Sequence, residues 1–255
     1  MKHEFLDHHS RMDSVVHRLD ARAKIIVFLT FILVGVSTSP SSFPVFGLLA
    51  VGLVSIALAA RLPLGHLGKK VLKTLPFVFF VALSIPFMKR EGGGVEYSLG
   101  FRGMSISQSG LWILWNVLVK ASLSIFSIVL LYSTTPFPKL IKGMEELHFP
   151  RIFTVLFSFM YRYSFIVIDE MQRMKRARDS RGFGEKWLWQ AKTIGHMIGT
   201  LFLRSFHRGE MVYRAMLSRG YDGTMPDAFA GPFGRREILF LSLIPFIILL
   251  RILFA

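Results

Sequence analysis

Long apolar runs separated by short polar segments fill the first half of this chain of 255 residues and return at its end. Two of the runs are shorter than the roughly 20 residues that a bilayer crossing needs, so we expect Lys24 and Lys73 to extend them by snorkelling. The pattern predicts five transmembrane helices, namely Ile25 to Pro40, Phe43 to Ala60, Thr74 to Met88, Leu111 to Tyr132, and Ile238 to the C-terminus.

The connections between these runs also have a predicted structure. The loop from Lys89 to Gly110 is expected to be a flexible outer connection or a small hairpin. After the fourth run, prolines at positions 136 and 138 must break the helix, and a short helix is predicted from Lys139 to Leu147. A further helix is predicted from Trp187 to His207, with its apolar positions on one face, continuing or bending near Gly209 as far as Arg219.

Arg151 to Arg181 is predicted to form one helix of about 30 residues. Its part from Ile152 to Ile168 is apolar enough to be a sixth span, but it carries Arg162 at its middle and runs on into a charged segment. We expect the helix to lie obliquely along the cytoplasmic face. The alternative, a true span, stays open and would reverse the orientation of the last span.

Composition places these helices in a membrane. Hydrophobic residues make up 52% of the chain, yet the formal net charge is +15. Together the two values indicate an integral membrane protein with basic cytoplasmic segments, and nucleic acid is the weaker explanation of the charge. The chain has no cysteine, which excludes disulfides, thiolate metal sites and cysteine nucleophiles.

Lysine and arginine are unevenly distributed among the predicted loops. Residues 1–24 hold five, 61–73 hold four and 133–236 hold seventeen, whereas 89–110 hold three. The positive-inside rule then puts the N-terminus and 26 of the 31 basic residues in the cytoplasm, with Lys120 and Arg251 as exceptions. The predicted fold is therefore all-α and polytopic. It has a polar segment and four spans in 1–132, a helical cytoplasmic insert in 133–236, and a fifth span in 237–255.

One motif occurs twice, 38 residues apart: residues 176–183 and 214–221 both follow the pattern R-A-x-x-S-R-G-aromatic. In a helix, the alanine and the second arginine of each copy lie one turn apart on the same face, and the glycine suits the left-handed residue that closes a helix. The small residues leave a stripe where another helix can approach, so the two helices could cross near their tips. The candidate functional residues are Ala177, Ser180, Arg181 and Gly182 in the first copy, and Ala215, Ser218, Arg219 and Gly220 in the second.

Two simpler interpretations compete with a functional one. Each arginine could be an ordinary C-terminal residue favoured by the helix dipole, although the duplication favours a function. Of the eight histidines, four lie in the polar N-terminal segment without the i, i+4 spacing of a metal site. Neither a P-loop nor a hydrolase motif is present. No catalytic, cofactor-binding or metal-binding residue is therefore predicted, and no role is assigned to Lys120.

These residues resemble a known family. They comprise the paired motifs, the preceding Pro150…Arg162…Glu170, the later Arg208, and the N-terminal stretch His17-Arg18-Leu19-Asp20-Ala21-Arg22-Ala23-Lys24. Nearly the whole chain resembles the transmembrane coupling (T) component of energy-coupling factor transporters. The N-terminal pattern is most similar to the CbiQ-type subunit of cobalt or nickel importers. Ala21 stands where that family usually has proline, a minor departure because alanine also suits a helix start.

The resemblance implies a non-enzymatic subunit of an ATP-driven importer in the cytoplasmic membrane of a bacterium or archaeon. It implies an ABC-type ATPase dimer (CbiO-like) as a partner, with Arg181 entering one ATPase and Arg219 the other. It also implies a substrate-binding membrane subunit (CbiM-like, with or without a CbiN-like protein) and Co²⁺ or Ni²⁺ as the cargo. Arg162, Glu170 and Arg208 are expected to support the coupling helices.

Other functions remain open at this stage. A vitamin importer, such as one for biotin, would use the same architecture. A membrane-embedded lipid-phosphate enzyme would need paired acidic residues near the bilayer, and none occurs in the five predicted spans. A channel or secondary transporter would need a polar path, for which only Lys120 and scattered Ser and Thr residues are available.

Overall fold

The computed structural model of the chain describes residues 14–84, 96–98, 105–181, 187–223 and 234–254. Most of these residues are helical, so the predicted helical class is confirmed. The helices are α1 (Ala21–Ser37), α2 (Phe43–Ala59), α3 (Leu64–Ala82), α4 (Gln108–Thr134), α5 (Phe137–Glu146), α6 (Arg151–Asp179), α7 (Trp187–Leu217), α8 (Arg235–Leu241) and α9 (Leu243–Phe254). Within the predicted outer loop, β1 (Glu96–Ser98) pairs antiparallel with β2 (Ser105–Ser107).

The chain forms two compact units, Lys2–Leu147 with Gly231–Ala255 and His148–Ala230. The first, called the bundle below, contains α1 to α5, α8, α9 and the hairpin. The second, called the helical pair, contains α6 and α7. The short helix α5, predicted at Lys139 to Leu147, belongs with the bundle.

Two of the predicted spans differ from the helices observed. α3 begins ten residues before the predicted start at Thr74. It continues through Pro76, because a proline removes only its own amide donor and the rest of the helix can form around it. The predicted last span is divided, since α8 ends at Leu241 and α9 begins at Leu243. Pro245 explains the break, because its ring and missing N–H oppose the carbonyl of Leu241 four residues earlier.

Two helices in the described part of the chain are long and apolar enough to cross a bilayer, at Gly110–Thr134 and Arg151–Asp179. Aromatic side chains mark both ends of the first, where Trp112 and Tyr132 are exposed. The residues from Trp112 to Tyr132 rise about 30 Å, the thickness of a hydrocarbon core, and Trp and Tyr favour its two interfaces. α2 is apolar but has only 17 residues, and the count of five spans stays a prediction.

α1 and α4 lie antiparallel in the bundle and exchange hydrogen bonds at both ends. Lys24 of α1 is only 1% exposed, and its Nζ donates to the carbonyls of Thr134, the last residue of α4, and of His17, at 3.1 and 3.2 Å. In the opposite sense, Lys120 of α4 donates to the carbonyl of Val36 in the last turn of α1 at 2.8 Å. Because helix C-terminal carbonyls lack intrahelical donors, each lysine stabilises the end of the other helix. Lys24 is therefore buried, and the prediction that it snorkels was wrong.

Lys120 and Arg251 are the two exceptions to the positive-inside rule, and Arg251 binds at the same end of α1 as Lys120. The Nη2 of Arg251 in α9 donates to the carbonyl of Ser37 at 3.0 Å, next to the carbonyl that binds Lys120. Cations near a helix C-terminus are favoured by the dipole. Both exceptions thus have a structural reason that does not concern topology.

The N-terminal motif fastens α1 to α5. The Asp20 carboxylate accepts a hydrogen bond from the backbone N–H of Arg22 at 2.9 Å and so caps α1. The Arg22 side chain forms an ion pair with Glu146 of α5. Gly143 of α5 lies so close to α1 that a Cβ added there would be 2.9 Å from the Cβ of Ala21. The residues of the N-terminal motif therefore form contacts within the bundle.

Candidate functional site

The helical pair consists of two long continuous helices. α6 has 29 residues and begins after Pro150, which stands at its N-cap position. α7 has 31 residues and passes through Gly209 without interruption. The single long helix predicted for Arg151 to Arg181 is confirmed, and the prediction for α7 is confirmed in its continuous form.

The two motif copies form the same hydrogen bonds at the two helix ends. In each, the serine N–H donates to the carbonyl four residues earlier, the serine hydroxyl to the carbonyl three residues earlier, and the arginine N–H to the carbonyl three residues earlier. All six bonds measure 2.9 to 3.0 Å, at Ser180 and Arg181 in the first copy and at Ser218 and Arg219 in the second. The sequence repeat is thus also a repeat of local structure.

Gly220 closes α7 in the predicted left-handed conformation, with φ at +77°. Its N–H donates to the carbonyl of Leu217, and the N–H of Tyr221 donates to the carbonyl of Met216, both at 3.0 Å. These two bonds define a Schellman motif, which requires a left-handed residue at this position. Gly182, the corresponding residue of the first copy, lies outside the described residues.

The arginines within each copy differ in their partners. Arg178 pairs with Asp179 at 2.7 Å, and Arg214 pairs with Glu210 at 2.6 Å. Arg181 and Arg219 are exposed and form no ion pair with any residue that the structure describes. Arg176 of the first copy is likewise exposed and forms no ion pair with a described residue, so the second arginine of each motif shares this state but is not distinguished by it.

The contact between α6 and α7 lies some way from these arginines. The Glu170 carboxylate of α6 forms an ion pair with Arg204 of α7, beside a cleft of about 260 Å³. Along the helices, this pair lies about 16 Å from Arg181 and about 22 Å from Arg219. The contact between α6 and α7 is thus farther from the two helix ends than the predicted crossing at the small residues of the motifs. The alanines and serines of both motifs are exposed.

Of the three residues expected to support the coupling helices, the structure brings only Glu170 and Arg208 together. Arg208 lines the same cleft as Glu170, whereas Arg162 is exposed on α6 about 12 Å along the helix from Glu170. Sequence reasoning missed Arg204, whose partner lies 34 residues away. The only available signal was the i, i+4 spacing of Arg204 and Arg208, which puts both on one face of α7.

Apolar side chains are exposed on both helices of the pair. They recur every turn on α6 and on α7, so each set forms one stripe. The stripes comprise Ile152, Leu156 and Met160 on α6, and Ile194, Ile198 and Phe202 on α7. Exposed apolar stripes of this kind suit contact with a membrane or another helix.

Within the described ranges, no group of three or more His, Asp and Glu side chains is placed to hold a metal ion. His17 instead shares a 2.7 Å hydrogen bond with the hydroxyl of Ser14. The other histidines of the N-terminal segment, at positions 3, 8 and 9, lie outside the described residues.

Comparison with known families gives a match over most of the chain. The family model described as the cobalt transport protein CbiQ matches residues 12–228. The chain belongs to the CbiQ family. The match covers both arginine motifs and most of the bundle, and it confirms the resemblance drawn from the motifs.

Individual relatives of this CbiQ-family chain are transporter components where they are named. The energy-coupling factor transporter transmembrane protein EcfT of Streptococcus thermophilus is 30% identical over 83% of this chain and 83% of that protein. A fused cobalt transport protein, CbiMQ, of Methanocorpusculum labreanum is 25% identical over 88% of this chain and 38% of that protein. An uncharacterized protein of Methanocaldococcus jannaschii is 28% identical over 98% of this chain and 86% of that protein. The chain is thus a transmembrane component of an energy-coupling factor transporter, and no enzyme family is indicated.

Proposed function

We propose that the helical pair couples ATP hydrolysis to transport, with Arg181 held by one subunit of an ABC-type ATPase dimer (CbiO-like) and Arg219 by the other. The observation that supports this is the repeated helix end, at which Arg181 and Arg219 are both exposed and form no ion pair with a described residue. A guanidinium is permanently charged and offers a rigid fork of donors. It therefore suits carboxylates and helix C-terminal carbonyls on a partner.

The exposed apolar stripes of α6 and α7 are the proposed contact for a substrate-binding membrane subunit (CbiM-like, with or without a CbiN-like protein). Closure of the ATPase dimer would move the two arginine-bearing tips together, and the substrate-binding subunit would tilt or reopen in response. Co²⁺ or Ni²⁺ is the proposed cargo. The family description and the fused CbiMQ relative support this choice.

Charge reversal of each arginine tests the coupling. Arg181→Glu and Arg219→Glu should each weaken co-purification of the ATPases or uncouple hydrolysis from uptake, because each places an anion in a site shaped for a guanidinium. Arg178→Ala and Arg214→Ala are the matched controls and should have smaller effects. Normal assembly and uptake with both reversals would contradict the proposal.

The same complexes test the cargo and the source of ATP hydrolysis. We expect uptake of radioactive Co²⁺ or Ni²⁺ but not of biotin, and no ATPase activity from this chain alone, since it lacks a phosphate-binding loop. Uptake of biotin without metal uptake would assign the chain to a vitamin importer. Robust hydrolysis by the isolated chain would contradict a coupling subunit.

The proposed topology has a cytoplasmic N-terminus and five spans, with α6 on the cytoplasmic face. α6 is long enough to cross, but Arg162 at its middle would be a lone charge near the bilayer centre, which is costly. Reporter fusions at residue 100 and after residue 255 should lie outside, and fusions at 65 and 185 inside. A cytoplasmic C-terminus would show that α6 is a sixth span.

A further inference from the structure

An apolar groove of about 510 Å³ runs between α3 and α4 in the bundle. Leu72, Leu75, Pro76 and Phe79 line it from α3, and Trp115 and Val119 line it from α4. The one hydroxyl in the groove, that of Ser122, donates to the carbonyl of Val119 at 2.8 Å and is already satisfied. The groove therefore favours an apolar occupant.

The end of the groove that faces the start of α3 is basic. Lys69 lies three residues before Leu72, and Lys73 lies three residues before Pro76, so each lysine shares a face of α3 with a groove residue. Both lysines are exposed and form no ion pair with a described residue. No aspartate or glutamate occurs between residues 21 and 90, or anywhere on α4. The two charges are therefore uncompensated among the residues that the structure describes.

Lys70 connects this end of α3 to the end of α4. Its Nζ lies 4.6 Å from the centroid of the Tyr132 ring, a cation–π contact. Tyr132 stands at the interface end of the stretch from Trp112 that matches a hydrocarbon core in length. The Lys70 ammonium group thus reaches the Tyr132 end of α4, and α3 extends about 15 Å along the groove from Lys69 to Phe79.

We propose that this groove binds an anionic phospholipid, with its phosphate at Lys69 and Lys73 and an acyl chain along α3 and α4. Charge complementarity selects the head group, because basic residues at the cytoplasmic face attract anionic lipids. The apolar lining selects the chain. The site rests on the proposed orientation of α3 and α4 but not on the coupling arginines.

Tryptophan quenching in vesicles tests the site. The chain has four tryptophans, so a variant that keeps only Trp115 is reconstituted with brominated phosphatidylglycerol or brominated phosphatidylcholine. We expect stronger quenching by the anionic lipid. Lys69→Gln with Lys73→Gln should reduce that preference by roughly fivefold per lysine. Arg173→Gln with Lys175→Gln removes the same charge from α6 and should leave the preference unchanged.

A groove-filling variant separates the two halves of the site. Ser122→Phe should reduce quenching by both lipids without changing their ratio, because it blocks the chain and leaves the lysines intact. Mass spectrometry of lipid retained by the wild-type chain after detergent washing provides a second readout that needs no tryptophan substitution. We expect retained phosphatidylglycerol, and less of it in the double lysine variant.

Three outcomes would overturn the proposal. They are equal quenching by the two lipids, retention of the preference in the double lysine variant, and loss of all Trp115 quenching in the assembled transporter. The last would show that a helix of the substrate-binding subunit fills the groove. None of these measurements requires hydrolysis or the coupling arginines, so failure of the lipid site and failure of coupling are distinguishable.

Discussion

At the start of α1, the charged residues of the N-terminal motif are bonded within the bundle. Arg22 pairs with Glu146, and Lys24 is buried against two carbonyls. In the helical pair, Arg181 and Arg219 also belong to a charged motif, but they are exposed and form no ion pair with the described residues. The same residue types therefore hold a fold together in one unit and are available to a partner in the other.

The difference teaches how to separate the two roles experimentally. A cation that binds internally should change the free energy of unfolding when it is removed. Removal of a cation that binds a partner protein should instead weaken assembly and leave the free energy of unfolding of the isolated chain unaltered.

The largest expected effect is on assembly. Arg181→Glu combined with Arg219→Glu should abolish co-purification of the ATPases, because both anchoring points are reversed at once. The unfolding midpoint of the isolated chain in detergent should stay within experimental error of wild type, since exposed unpaired side chains contribute little to stability. A large drop in that midpoint would place these arginines among the structural cations and erase the contrast with Arg22.

Lys24→Met should have the largest effect on stability. It leaves the carbonyls of His17 and Thr134 without their donor inside the bundle, at an expected cost of about 2–4 kcal/mol in the free energy of unfolding. Denaturant unfolding of the isolated chain in detergent measures this cost. The matched control is Lys175→Met on the exposed surface of α6, which should change the value by less than about 0.5 kcal/mol. Equal costs would mean that burial of Lys24 is not what stabilises the bundle.

The smallest expected effect concerns two glycines of α7. Gly220→Ala should destabilise the helix end by about 1 kcal/mol, because alanine at φ of +77° is strained. Gly209→Ala, in the helix interior with open space around it, should instead stabilise by about 0.5–1 kcal/mol. Helix content followed during thermal unfolding provides the comparison. The same sign for both substitutions would contradict the assigned helix end.

Local rules predicted much of this molecule. Proline positions and apolar runs located α2, α4 and α5 to within a few residues, and glycine chemistry predicted the left-handed Gly220. Those features depend on neighbours along the chain. The motif repeat likewise predicted two equivalent helix ends, because its hydrogen bonds reach back only three or four residues.

Features that depend on distant residues could not be predicted. Lys24 and Thr134 are 110 residues apart, and Arg251 and Ser37 are 214 apart. Hydropathy predicted that Lys24 snorkels, and the positive-inside rule left Lys120 and Arg251 as exceptions. Which carbonyl each cation binds is decided by helix packing. The pairing of Glu170 with Arg204 was missed for the same reason.

The exchange of lysines between α1 and α4 has a mechanical consequence. Each helix is bonded to the end of the other, so the pair has a single axial register. Sliding α1 along α4 by one turn, about 5.4 Å, would break the bonds from Lys24 and Lys120 to the opposite helix together and leave the carbonyls of Thr134 and Val36 without donors. α1 and α4 are therefore expected to move as one rigid unit along their common axis, so that a force applied at one end of the pair is transmitted to the other.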